Sequence, residues 1–141
     1  VGNTLNVRLE EIRIDTAHQR ELVDITGEVL KCVEQSEIKN GICVVFSMHS
    51  TSAIIINENE AGLKEDILKK VFDDFHDGSG WQHDRIDDNA AAHLASAFTG
   101  SSVVIPVKSR SLTLGMWQSV FFLELDGPRS SRRVVVEVMG E

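Results

Sequence analysis

Three histidines stand where chemistry could use them. His49 ends an apolar run in Ser47-Met48-His49-Ser50-Thr51-Ser52, His83 lies in a polar stretch, and His93 follows ten residues later beside alanines. Imidazoles drawn from three separate elements can form an open divalent-metal site, with water in the remaining position. Asp84, Asp87, Asp88 or Glu58 can add oxygen ligands or orient a ring from behind. None of the usual zinc spacings occurs, so plainer readings weigh more. His93 then packs among alanines and His49 is a hydrogen-bonding group at a strand end. His18 and His76 read as solvated surface residues.

Carboxylates and arginines offer further chemistry. Asn57-Glu58-Asn59-Glu60 ends a second apolar run, where a carboxylate can act as acid, base or metal ligand. The structural alternative, a polar turn before a helix, is favoured because Asn-rich strand ends are common turn signals. Arg129, Arg132 and Arg133 follow the Gly127-Pro128 turn. They read either as an arginine fork for phosphate or as a solvated strand end balancing Asp126 and Glu124. Trp117 reads as a core aromatic more readily than as a stacking platform. Gln118 points its amide either at a pocket or at water. Cys32 and Cys43 have no neighbouring basic group and no CxxC spacing, so both read as reduced, unreactive thiols.

The elements that must position these groups are legible in outline. Leu5, Val7 and Leu9 alternate with polar residues, and Ile12 and Ile14 resume one step out of phase, which predicts a strand with a bulge or bend at Glu10–Glu11. A helix begins near Asp24 or Thr26, with Val29, Leu30 and Val33 on one face and an Asn40-Gly41 turn beyond it. Residues 42–48 and 53–57 read as strands buried on both faces, separated by the polar kink His49-Ser50-Thr51-Ser52. Leu63 to Phe75 has helical spacing. A polar loop over 76–88 precedes a short helix, Ala90 to Phe98, with Asn89 as its N-cap and Gly100 beyond its end. Strands fill the last third: 103–107, 112–114, 117–125 and 133–139. Helices and strands are mixed without regular alternation, so the class is α+β.

Composition narrows the function. The chain of 141 residues fits one domain. Its net charge of −8 argues against a general nucleic-acid binder, which needs a dominant basic face. The apolar runs are too short to span a bilayer. The charged first fifteen residues do not read as a secretory leader, and reduced cysteines suit a cytoplasmic protein. P-loop, GxGxxG, HExxH and GxSxG motifs are all missing, so any chemistry must be assembled from distant segments.

Together these segments resemble the YjbQ family. His49-Ser50-Thr51-Ser52-Ala53 followed by Asn57-Glu58-Asn59-Glu60 is similar to the family's HTTA and NEN signature. Trp81-Gln82-His83, Asp88-Asn89-Ala90 and Ala92-His93-Leu94 follow in order. So do Ile105-Pro106-Val107, Leu112-Thr113-Leu114-Gly115, Trp117-Gln118 and the run from Glu124 to Arg129. The resemblance implies a single compact α+β domain over residues 1–141, with mixed β-sheets and two to three helices, assembling as a homotrimer. It implies a secondary thiamine-phosphate synthase, which joins hydroxymethylpyrimidine diphosphate to thiazole phosphate and releases diphosphate. It further implies His49, His83 and His93 as ligands of a divalent metal, zinc or magnesium, with no organic cofactor. Glu58 and Gln118 would then be catalytic, and Thr51, Asn57, Arg129 and Arg133 would contact phosphate.

Three positions depart from the family pattern. Arg110 stands where the family usually has Gly, Met116 where a small Thr is usual, and Asp84 where Asn is commoner. If the turn at Arg110 needs a positive φ, Arg is strained there. Two other readings compete with the enzyme. One is a non-catalytic trimeric module that binds a metal ion or a small phosphorylated metabolite. The other is a purely structural role for the histidines.

Overall fold

The computed structural model describes residues 4–141. The chain runs β1 (Asn6–Ile14), β2 (Glu21–Asp24), α1 (Thr26–Ser36), β3 (Gly41–Ser47), β4 (Ser52–Glu58), α2 (Ala61–Asp74), a 3₁₀ turn (Gln82–Arg85), α3 (Ala90–Thr99), β5 (Ser102–Lys108), β6 (Ser111–Leu112), β7 (Gln118–Glu124) and β8 (Arg132–Gly140). The class is α+β, as expected. Every strand pairing is antiparallel: a five-stranded sheet in the order β1-β8-β3-β5-β6 and a three-stranded sheet in the order β2-β7-β4.

Two apolar cores hold the layers. Val134, Val136 and Val138 of β8 and Cys43 and Val45 of β3 pack with Val29, Cys32 and Val33 of α1, and with Val120 and Phe122 of β7. On its other face the three-stranded sheet presents Ala53, Leu123 and Leu125 to Ala92 and Ala95 of α3 and to the apolar side of α2. β7 is therefore covered on both faces, which is why its run from Val120 to Glu124 is wholly buried. The alanines of α3 let that helix lie close against β4.

Some expectations change. β1 pairs with β8 in one unbroken register from Asn6↔Gly140 to Ile14↔Arg132, so there is no bulge at Glu10–Glu11. The shift in apolar phase has another cause. Ile12 and Ile14 face the core, whereas Val7 and Leu9 point from the opposite face and stay 53% and 58% exposed. β3 is buried on one face only, because nothing among the described residues covers the side bearing Ile42 and Phe46. Trp117 is not a core aromatic: it lies in the turn before β7, 69% exposed.

Local chemistry explains the helix starts. The Asp24 carboxylate accepts from the Thr26 amide at 2.9 Å, and the Thr26 hydroxyl accepts from the Val120 amide at 2.8 Å, tying α1 to β7. Asn89 does not cap α3 with its side chain. Asp84 does so, accepting from the Ala90 amide at 2.9 Å, which gives this departure from the family pattern a structural role. Gly41 is required where it stands, since a Cβ there would lie 1.9 Å from the Met139 carbonyl oxygen.

The β5–β6 hairpin turns through Ser109 at φ 53° and Arg110 at φ 63°. Two left-handed residues define the tight turn that usually takes Asn-Gly. Arg110 is therefore strained by roughly 1 kcal/mol. Its guanidinium donates to the Glu34 carbonyl at 3.1 Å, an exposed bond that offsets little of this. Arg110→Gly should stabilise the protein by about 0.5–1 kcal/mol and raise its melting temperature by a few degrees. A lower melting temperature in calorimetry would contradict this account of the turn.

Candidate functional site

The site grows from the crossing between the sheets. β3 belongs to the large sheet and β4 to the small one, so residues 48–51 carry the chain across the gap. The Ser47 and Ser52 hydroxyls are hydrogen-bonded and buried, pinching the crossing shut, and the Ser96 hydroxyl of α3 donates to the Ser52 carbonyl at 2.6 Å. The kink is polar because its backbone groups lie outside either strand ladder and must find partners.

Behind the crossing lies a buried ion pair. Glu124 at the end of β7 is fully buried, and Arg132 at the start of β8 is 5% exposed. The guanidinium engages both carboxylate oxygens, with Nε donating to Oε2 at 2.8 Å. It also donates to the Thr51 hydroxyl at 3.0 Å. Thr16 donates to Glu124 Oε2 at 2.9 Å, and the Leu125 and Asp126 amides donate to Oε1. Burial pushes the Glu124 carboxyl up, but hydrogen bonds from Arg132, the Asp126 amide and Thr16 outweigh it and hold it below the ordinary value. The sequence leaves Arg132 either in an arginine fork for phosphate or at a solvated strand end balancing Glu124; the pair is instead buried. Arg132 faces inward with Val134, Val136 and Val138, whereas Arg133 faces out, so strand alternation was the available signal.

The next residue holds His49. The Arg133 amide donates to His49 Nε2 at 2.8 Å. A neutral ring accepting at Nε2 carries its proton on Nδ1. The His49 pKa lies below its ordinary value, first because the ring is half-buried and then because the Arg132 guanidinium is near. Arg133 and Arg129 act in the same direction, and only Glu124 opposes.

His49 and His93 line one pocket of about 580 Å³, walled by Ser50, Ser96, Ser101 and the apolar side chains of Phe46 and Met48. His83 touches His93 edge to face, with ring centroids 4.6 Å apart. Its Nε2 is buried without a hydrogen-bond partner among the described residues, and Asp87 Oδ2 is 3.9 Å away. The three rings do not fit a common metal as they stand. His49 Nε2 is already used, and among the described residues no group of three or more His, Cys, Asp or Glu is arranged to hold an ion.

The other expected residues are scattered. Thr51 is buried and bonded to Arg132. Arg129 pairs with Asp126 at 3.0 Å and Arg133 with Glu11 at 2.6 Å, each partly exposed. Glu58 and Gln118 face each other across β4 and β7, at the opposite end of the small sheet from Ser52 and Glu124. Six residue steps along β4 separate Glu58 from the crossing, roughly 20 Å. Asn57 is exposed at that far end and accepts from the Glu58 amide.

This arrangement defines a class: a two-sheet α+β domain with a histidine- and serine-walled pocket at the crossing between sheets. A family model described as UPF0047 protein YjbQ-like matches residues 10–141, and the chain belongs to this family. A UPF0047 protein from Archaeoglobus fulgidus is 46% identical over 129 residues, covering 92% of this chain and 99% of that protein. One from Methanothermobacter thermautotrophicus is 45% identical over 140 residues, covering 99% and 97%. The crystal structure of a YbjQ-like protein of unknown function from Sulfolobus solfataricus superposes with a TM-score of 0.96 at 50% identity, covering 98% of this chain and 100% of that one.

Removing one member of the buried pair should be costly. Glu124→Gln leaves the Arg132 charge uncompensated and should destabilise the protein by about 3–5 kcal/mol in denaturant unfolding. Because the folded pKa of Glu124 lies below the unfolded value near 4.5, its contribution is complete above that value and lost as pH falls through the folded one. The variant should therefore show a flatter loss of stability in acid. A wild-type-like midpoint and acid limb would contradict this.

Proposed function

We propose that the pocket at the sheet crossing binds a small phosphorylated metabolite. The observation that carries this reading is the electrostatics at His49. Burial first, and then the Arg132, Arg133 and Arg129 guanidiniums against the opposing Glu124, disfavour a proton on its ring, and the same arginines disfavour a bound cation more than an anion. The neutral ring keeps Nδ1–H as a donor, and hydroxyls of Ser50 and Ser101 stand on the same wall. A volume of about 580 Å³ suits a metabolite-sized ligand. Arg129 and Arg133 would reach a phosphate only by leaving Asp126 and Glu11, exposed pairs that hold weakly.

The resemblance supplies the reaction to be tested, the joining of hydroxymethylpyrimidine diphosphate to thiazole phosphate. Within one chain, Glu58 and Gln118 stand too far from the histidines to serve that reaction directly. Binding is therefore the reading the single chain supports best. Assembly as a homotrimer belongs to the same proposal. It is supported by the uncovered face of the large sheet, where Leu9, Ile42, Phe46 and Val104 are 40–59% exposed. Contiguous apolar surface of this kind marks an interaction site.

Calorimetry with inorganic diphosphate and thiamine phosphate should show saturable binding, weakened about tenfold or more by His49→Ala. No heat with either compound would overturn the reading. A turnover assay with both phosphorylated precursors distinguishes the alternatives: product above the wild-type blank supports the synthase, whereas binding without product supports the non-catalytic module.

A further inference from the structure

Residues 76–88 carry the 3₁₀ turn between α2 and α3, and little holds them to the rest of the fold. None of them is buried, and only His83 and Asp84 are half-buried. Among the described residues their turn hydrogen bonds close on the segment itself: the Asp84 amide on Trp81, and the Ile86 and Asp87 amides on His83. The Trp81 indole donates to the His76 carbonyl at 3.0 Å, and Asp84 reaches no farther than the Ala90 amide. Gly78 and Gly80 take left-handed backbone near one end, at φ 71° and 80°, and Asp88 does so at the other, at φ 54°. A stretch with exposed backbone, few buried contacts and bonds mostly its own opens at low free energy.

Side chains tie it down at three points. The His76 ring meets Phe72 of α2, with centroids 5.0 Å apart, and the His83 ring rests on His93 of α3. Beyond these flanking helices one side-chain hydrogen bond is left among the described residues, from Arg20 Nη2 to Asp77 Oδ2 at 3.5 Å. Arg20 is a costly anchor. Its side chain is 12% exposed, and its guanidinium lies over the Phe72 ring, 4.6 Å from the centroid. Nε and Nη1 are buried with no acceptor among the described residues. Donors left in this way cost free energy, and the attraction to the ring offsets only part of it.

We infer that residues 76–88 form a strap that lifts from and closes over His93, latched by Arg20 and Asp77. Lifting returns the Arg20 donors to water, so the two positions differ little in free energy. Closing brings His83 against His93, whose ring lines the pocket. The strap rests on the metabolite reading and adds regulation of that same site. A ligand shifts such an equilibrium only through contacts it makes in one position and lacks in the other. His83 Nε2, buried and unpartnered among the described residues when the strap is down, offers that contact.

Trypsin reads the strap, because Arg85 is the one Lys or Arg among residues 76–88. Cleavage after Arg85 in the full chain follows the lifted population when lifting and closing are faster than cutting. Asp77→Asn should speed that cut about two- to fivefold, the worth of an exposed ion pair, and leave the melting temperature unchanged. Saturating inorganic diphosphate should slow it by about twofold or more. Hydrogen exchange of peptides from the strap should change in the same directions, while peptides from β7 should not change. Strap exchange as slow as that of β7, or a cut at Arg85 indifferent to Asp77→Asn, would overturn the inference. So would diphosphate binding seen by calorimetry that alters neither cut nor exchange. A strap that lifts and answers to Asp77→Asn in a protein that binds no diphosphate or thiamine phosphate would sink the metabolite reading and leave the strap standing.

Discussion

A single carboxylate organises the crossing between the two sheets. Glu124 ends β7 and collects donors from Arg132, Thr16 and two backbone amides, so β7, β8 and the segment after β1 meet at one buried point. A charge this deep is tolerated because each oxygen is satisfied; leaving either partner alone would strand an ion in the core. The pair fixes Arg132, and with it the backbone of Arg133, whose amide holds His49. The position of the functional ring therefore depends on an interaction one residue removed from it. The Thr51 hydroxyl on Arg132 ties the kink itself to the same point.

This dependence explains why the site is polar in a core that is otherwise aliphatic. Two sheets joined by a short crossing leave backbone groups outside both ladders. The Ser47, Ser52 and Ser96 hydroxyls satisfy several of them, and Ser47 and Ser96 also line the pocket. His83 is left out. Its buried Nε2 has no partner among the described residues, and desolvating a ring nitrogen in this way costs free energy unless a ligand or a water completes it. The α3 helix is placed by its alanines and by the Asp84 cap, so His93 reaches the pocket through packing.

Much of the fold could be read from residue patterns because its elements are locally consistent. The helical spacing of Val29, Leu30 and Val33, the valines of β8 and the kink at His49 each announced themselves, although α1 buries Cys32 rather than Leu30 with the two valines. What the chain hid was non-local. Nothing in the sequence says that β3 and β4 enter different sheets, and it is the length of β4 that carries Glu58 away from the crossing. Arg132 and Arg133 look alike in a row, yet alternation sends one into the core and the other to Glu11. Val7, Leu9 and Trp117 misled because apolar side chains were assumed to face inward, whereas this fold leaves one sheet face and one turn uncovered. His49 and His93 were found because histidines are few; Ser96 and Met48 carried no signal of their own.

The central claim is that His49 is held neutral, with Nε2 accepting from the Arg133 amide, in surroundings hostile to added positive charge. Nitrogen-15 NMR of the imidazoles across a pH series tests it most directly. The account predicts an unprotonated Nε2 and a protonated Nδ1 at neutral pH, with titration only below the ordinary value near 6.5. Because this folded pKa is lower than the unfolded one, stability should fall as pH drops through that window. A ring that titrates at or above 6.5, or that carries its proton on Nε2, would contradict it.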